Sequence, residues 1–228
     1  MARQTAEERK LEYLKAGANM LTDFSPEQAG LIAVEALANV KVSDVAERAG
    51  VTKGALYHIW PNQEAFRKDL LQRLLQQNHQ LAVTRMLELV DAAQQGNGDP
   101  TEAMSQLAGF LFDSLKDDPA FFARFNFYVY TGNPEIRAIL AAEEDQTYED
   151  FGPYVDLYLK ILGRRFRTPF TTRAFLTTTE ALLHGLCMRY RISPELTDVP
   201  LGAQEEAINM YAFGFTSILN QFSEEIPG

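Results

Sequence analysis

Apolar residues recur every three to four positions along most of this chain, the period of a helix with one face buried. Segment 5–24 places Leu11, Leu14, Ala18 and Leu21 at that spacing, with charges on the other positions. Ser25-Pro26-Glu27-Gln28 then reads as a helix start, because serine caps, proline suits the first turn and Gln28 can reach back. It predicts a second short helix over 26–38. Lys41 to Glu64 holds two short amphipathic segments meeting at Gly50. After Trp60-Pro61, Asn62 is placed to cap a long helix over 63–93, with Phe66, Leu70, Leu74, Leu81 and Leu87 in its apolar stripe. Gln95 to Asp99 is loop-like, and Asp99-Pro100-Thr101-Glu102 starts a helix that turns Leu107, Phe110, Leu111 and Leu115 inward. Asp118-Pro119 and Asn133-Pro134 open two more, and Gly152-Pro153 is expected to break or kink the second. Thr168-Pro169 and Ser193-Pro194 bracket a helical segment 171–191, and a last helix is predicted over 203–222. No stretch alternates with period two for long enough to argue for a strand. The predicted class is all-α.

The segment KVSDVAERAGVTKGALYHIWPNQE (Lys41–Glu64) has the form of a helix-turn-helix. Val45, Ala49, Val51, Leu56 and Ile59 can fill the corner, Ala46 is small where the helices cross, and Gly50 suits a turn with positive φ. Thr52 can cap the second helix. Thr52, Lys53, Ala55, Tyr57 and His58 are then left on or near its outward side, where hydroxyl, ammonium and imidazole groups can meet a duplex groove. An ordinary helical hairpin would not require all of these positions at once. Trp60 reads as a packing residue where the second helix meets the long one.

Further along, Ile208, Tyr211, Phe215, Ile218 and Phe222 follow spacings of three and four, a heptad-like seam. Segment 175–190 is apolar on nearly every side and includes Leu182 and Leu186. Two such helices from each of two chains would make a four-helix interface. Packing within one chain accounts for the same pattern. Thr177, Glu180 and His184 are polar on that apolar helix and require partners if buried: each other, a dimer mate or a ligand. Phe121, Phe122, Phe125, Phe127, Tyr128 and Tyr130 form an aromatic group that suits either a core or a pocket.

The 228 residues carry a net charge of −10, which on its own argues against a nucleic-acid partner. Its distribution alters that. Residues 1–75 balance ten basic against ten acidic residues, and the remainder sets eleven basic against twenty-one acidic. All the excess negative charge lies outside the helix-turn-helix region, so two functional regions are expected, 1–75 and 76–228. No apolar run approaches the roughly 20 residues that span a bilayer, and MARQTAEERKLEYL lacks the apolar core of a signal peptide. A single cysteine, Cys187, excludes an internal disulfide and fits a reducing compartment, so a cytoplasmic protein is expected, without a membrane partner. His58, His79 and His184 are far apart in sequence and no acid, base and nucleophile form a catalytic set. Neither a metal, a cofactor nor an enzymatic activity is expected.

The stretch from Val42 to Phe66 closely resembles the DNA-binding motif of the tetracycline-repressor (TetR) family of bacterial transcription regulators, with turn, core and Tyr57 in register. Elsewhere the resemblance is one of helix number, length and order. It implies a homodimer with an N-terminal DNA-binding domain and a C-terminal helical domain for dimerisation and ligand binding. The partners it implies are a double-stranded DNA operator and a hydrophobic or amphipathic small-molecule effector. Carried over position by position, it places Lys41, Ser43, Thr52, Lys53, Gly54, Ala55, Tyr57, His58 and Gln63 at the DNA. Lys53 would meet phosphate or a guanine edge, Tyr57 a phosphate, and His58 a base edge or phosphate. Gln63 replaces the usual lysine, Ala55 replaces a common hydroxyl residue, and the helix at 26–38 lengthens the N-terminal region. The pocket would draw on Phe110, Phe121, Phe125, Tyr128, Phe151, Tyr154, Thr177, Glu180, His184 and Met188. The dimer would draw on Leu182, Leu186, Ile208, Tyr211, Phe215, Ile218 and Phe222.

Overall fold

The computed structural model describes residues 5–22, 40–95, 99–118, 121–122, 128, 131–199 and 208–226. The helix expected over 26–38 and the aromatic residues Phe125, Phe127 and Tyr130 lie outside them. The described helices are α1 (Ala6–Thr22), α2 (Val42–Arg48), α3 (Lys53–Tyr57), α4 (Gln63–Gln94), α5 (Pro100–Leu115), α6 (Pro134–Ile161), α7 (Thr172–Tyr190) and α8 (Met210–Phe222). The fold is all-α, as the apolar period requires. Two short antiparallel pairs accompany the helices: β1 (Arg164–Phe166) with β4 (Ser223–Glu225), and β2 (Asp198–Val199) with β3 (Ile208–Asn209). The sequence pattern missed these ladders, which at two or three residues are too short to show a period of two.

Local chemistry sets the helix starts. Thr52 accepts from the Ala55 N–H at 3.3 Å, Asn62 from Ala65 N–H at 2.8 Å, and Asp99 from Thr101 N–H at 2.9 Å. Each satisfies a donor that has no partner inside its helix. Gly152-Pro153 does not break α6, which continues through it. The helical bond that proline forfeits belongs to the Glu149 carbonyl, on an exposed stretch where water can replace it. The last helix begins at Met210, seven residues later than the pattern suggested, because Asn209 caps it by accepting from the Tyr211 and Ala212 N–H groups at 3.0 Å.

The chain forms two units. The first comprises Met1–Asn78 and Asp118–Glu143. Its core joins Tyr13, Leu14 and Ala18 of α1 to Val42, Val45 and Ala46 of α2, Leu56 of α3, and Phe66, Leu70, Leu71 and Leu74 of α4, with Leu140 of α6 added. The second comprises His79–Asp117 and Glu144–Gly228. There α8 packs against α5 and α7, burying Met104, Leu107, Phe112, Phe175, Leu183, Tyr211, Phe215 and Leu219. No described helix is long and apolar enough to cross a membrane.

Candidate nucleic-acid interface

The corner is built from the inside out. Val45 and Leu56 have no exposed surface, Ala46 is buried where α2 and α3 approach, and Ala49, Val51 and Ile59 pack around them. Gly50 takes φ 66° at the turn, a conformation that costs a Cβ-bearing residue energy, and Val51 N–H closes the turn onto the Ala46 carbonyl at 2.9 Å. With Leu56 fixed inward, the helical period leaves Thr52, Lys53, Gly54, Tyr57 and His58 exposed and Ala55 half-buried. Tyr57 keeps 47% of its surface in solvent. Lys41 is exposed at the start of α2, and Ser43 is half-buried, its hydroxyl donating to Asp44 at 2.9 Å.

Two ties hold the corner to the start of α4. Trp60 is buried, meets Phe66 edge-on at 5.1 Å, and donates its indole N–H to Asp69 at 2.8 Å. Asp69 also pairs with Lys10 of α1 at 2.7 Å. The second tie is Gln63. Its side-chain Oε1 accepts from Val42 N–H at 2.9 Å and its Nε2 donates to the Val40 carbonyl at 2.8 Å. The expectation places Gln63 at a phosphate; here its amide oxygen and one of its N–H groups are engaged within the protein. Both ties span sequence distances that local pattern does not reveal, although Gln63 stands out as a departure from the usual lysine.

A duplex-reading head requires a rigid corner, a helix with its polar side free, and a fixed path into the next helix, and all three are present. Residues 29–70 match the model of the bacterial regulatory proteins, tetR family. Over those residues the head is similar to the TetR family. Beyond those residues the likeness extends over the chain at the level of fold. A putative TetR-family transcriptional regulator from Rhodococcus sp. is 17% identical, with a TM-score of 0.57, covering 95% of this chain and 98% of that one. A putative transcriptional regulator from Saccharomonospora viridis, solved in complex with choline, is 18% identical, with a TM-score of 0.56, covering 96% and 100%. The TetR-family regulator PfmR from Thermus thermophilus is 16% identical, with a TM-score of 0.50, covering 84% and 94%. No curated protein matches the sequence.

The residues expected to line a pocket divide between the two units. Phe121, buried against Phe122 with ring centroids 5.2 Å apart, and Tyr128, exposed, belong to the first. Phe110, Phe151 and Tyr154, all half-buried, belong to the second. On α7 the inward row is Phe175, Thr179, Leu183 and Cys187, with Glu180 and His184 beside it. Thr177 and Met188, also expected at the pocket, are exposed on the opposite face. Glu180 and His184 pair at 3.5 Å, one turn apart.

The seam expectation places Tyr211 and Phe215 at a dimer interface; within the single chain both are buried in their own unit, with the Phe215 ring 5.2 Å from that of Phe175. Burial raises the Tyr211 phenol well above its ordinary value, and the nearby Glu180 and Cys187 raise it further. The Glu180–His184 pair therefore lies near the buried Tyr211 within the second unit. Leu182, Leu186, Ile218 and Phe222 are half-buried, with Phe222 stacked on Phe170 at 4.0 Å. Ile208 lies in β3, paired with Val199. The sequence missed Phe213, which projects from α8 with 54% of its surface exposed. Among the described residues no three His, Cys, Asp or Glu side chains group as a metal site.

Proposed function

We propose that this chain is a ligand-responsive transcriptional repressor that binds a pseudo-palindromic operator as a homodimer and is released by a small-molecule effector. The observation that carries the DNA part is the α3 surface, where Thr52, Lys53, Tyr57 and His58 stand in solvent on a buried corner. Lys53 meets phosphate or a guanine edge, Tyr57 a phosphate oxygen, and His58 a base edge or phosphate. Ala55 offers apolar contact to a thymine methyl. Lys41 and Ser43 meet the backbone from the start of α2. Two heads about 34 Å apart would enter successive major grooves.

The dimer reading is supported by the outward face of α7 and α8. Phe213, Met188 and Ile192 are more than half exposed, and Ala181 and Gly185 leave room for a close helix approach. A second copy covering that face would make a symmetric four-helix contact.

The effector reading is supported by the Glu180–His184 pair beside the apolar core of the second unit and near Tyr211, polar groups that can orient an amphipathic molecule. The choline-bound neighbour shows a small organic molecule held by this fold and makes choline a first probe. Because effector and operator act through one conformational equilibrium, each must weaken the other by the same factor. The test titrates purified protein on a fluorescent fragment of its own upstream DNA, with and without candidate effectors. Release by an effector whose own affinity falls equally in the presence of DNA supports the reading. An effector that binds protein and protein–DNA complex alike would contradict it. Activation instead of repression is distinguished by where the protected site lies relative to the promoter.

A further inference from the structure

Lys41 occupies the N-cap of α2 but makes no side-chain cap, so the first N–H groups of that helix need another acceptor. Gln63, the first residue of α4, supplies it for Val42 N–H and at the same time donates to the Val40 carbonyl. One primary amide therefore pairs with the backbone on both sides of Lys41, as a peptide group does across a strand ladder. We propose that Gln63 is a positioning residue of the reading head: it fixes the backbone from which Lys41 and Ser43 reach the duplex, and does not itself touch DNA. The proposal rests on the DNA-binding reading above.

The chemistry is selective for glutamine. A lysine here has no acceptor for Val42 N–H, and an ionised glutamate has no donor for the Val40 carbonyl. Both bonds are partly buried, so water replaces them imperfectly when they are lost. Val40 and Val42 are themselves buried in the core of the first unit, so the amide ties a segment already held from below. Lys41 between them is exposed, its backbone held on either side and its side chain directed into solvent. A phosphate contact by the usual lysine is thereby exchanged for a fixed origin of the preceding contacts.

The test is a double-mutant cycle on the DNA fragment that the wild type binds, read by anisotropy well below the melting temperature. Gln63→Leu is expected to weaken binding about tenfold, the effect of losing one or two such bonds. Lys41→Ala should weaken the wild type but add little in the Gln63→Leu background, because the position it depends on is already lost. Lys53→Ala, on the other helix, should multiply with Gln63→Leu. In the free protein, amide exchange at Val42 should quicken about fivefold to tenfold in Gln63→Leu and also in Gln63→Lys, which serves if the leucine variant folds poorly. Fully multiplicative effects of Gln63→Leu and Lys41→Ala would overturn the positioning role. Unchanged Val42 exchange would overturn the tie itself. A wild type that binds no DNA fragment would remove the reading on which the proposal rests, a failure visible before any variant is made.

Discussion

At the residue scale, the account depends on which groups of α3 face outward. Leu56 has no exposed surface while Tyr57 beside it keeps nearly half of its own, so one helical step separates core from contact. Lys53→Ala is expected to weaken operator binding about tenfold and to flatten its salt dependence by about one unit per head, as loss of a phosphate contact requires. Tyr57→Phe should weaken binding by about fivefold with no change in melting temperature, since its hydroxyl is in solvent. By contrast Leu56→Ala should cost about 2–5 kcal/mol of stability, measured by denaturant unfolding, because it opens a cavity in the corner. Asp69→Ala should also destabilise, by about 1–3 kcal/mol, since it leaves the Trp60 indole N–H without its acceptor and Lys10 without its partner.

Element by element, the legible features are those whose cause is local. Thr52, Asn62 and Asp99 cap helices they immediately precede, and Gly50 turns where only nearby backbone matters. The illegible features join distant residues. Gln63 reaches back 21 positions, Arg164 is the ladder partner of Glu225 far along the chain, and neither distance leaves a periodic trace. The seam on α8 was visible but its partner was not, since a row of Tyr211 and Phe215 fits a neighbouring helix of the same chain as well as another copy. A further consequence belongs to α5 and α6. The Tyr158 hydroxyl donates to the Pro100 carbonyl, and burial, aided by Asp99, pushes the phenol up to about 12. A phenol raised above its unfolded value stabilises the fold fully below about pH 10 and loses that contribution as pH rises through about 12. Tyr158→Phe should therefore reduce the loss of stability between those pH values, as followed by urea unfolding at fixed temperature.

For the whole molecule, charge and symmetry decide how the head can work. The first 75 residues carry no net charge and the rest carries the full −10, so bulk attraction to DNA is weak. In the proposed dimer, two heads engaged together would supply the affinity that one cannot, through the high effective concentration of the second once the first is bound. Phe213→Glu, on the exposed face of α8, should give a monomer by light scattering and reduce operator affinity by at least about a hundredfold while leaving the helical spectrum unchanged. Glu180→Ala should leave operator affinity nearly intact and alter only the response to an effector. The most direct measurement is the affinity of the purified protein for fragments of its own upstream DNA between about 50 and 200 mM salt. With Lys41 and Lys53 contributing from two heads, the account predicts one protected pseudo-palindrome and a log–log slope of about −3 to −4. No preferred fragment, or an affinity indifferent to salt, would contradict it.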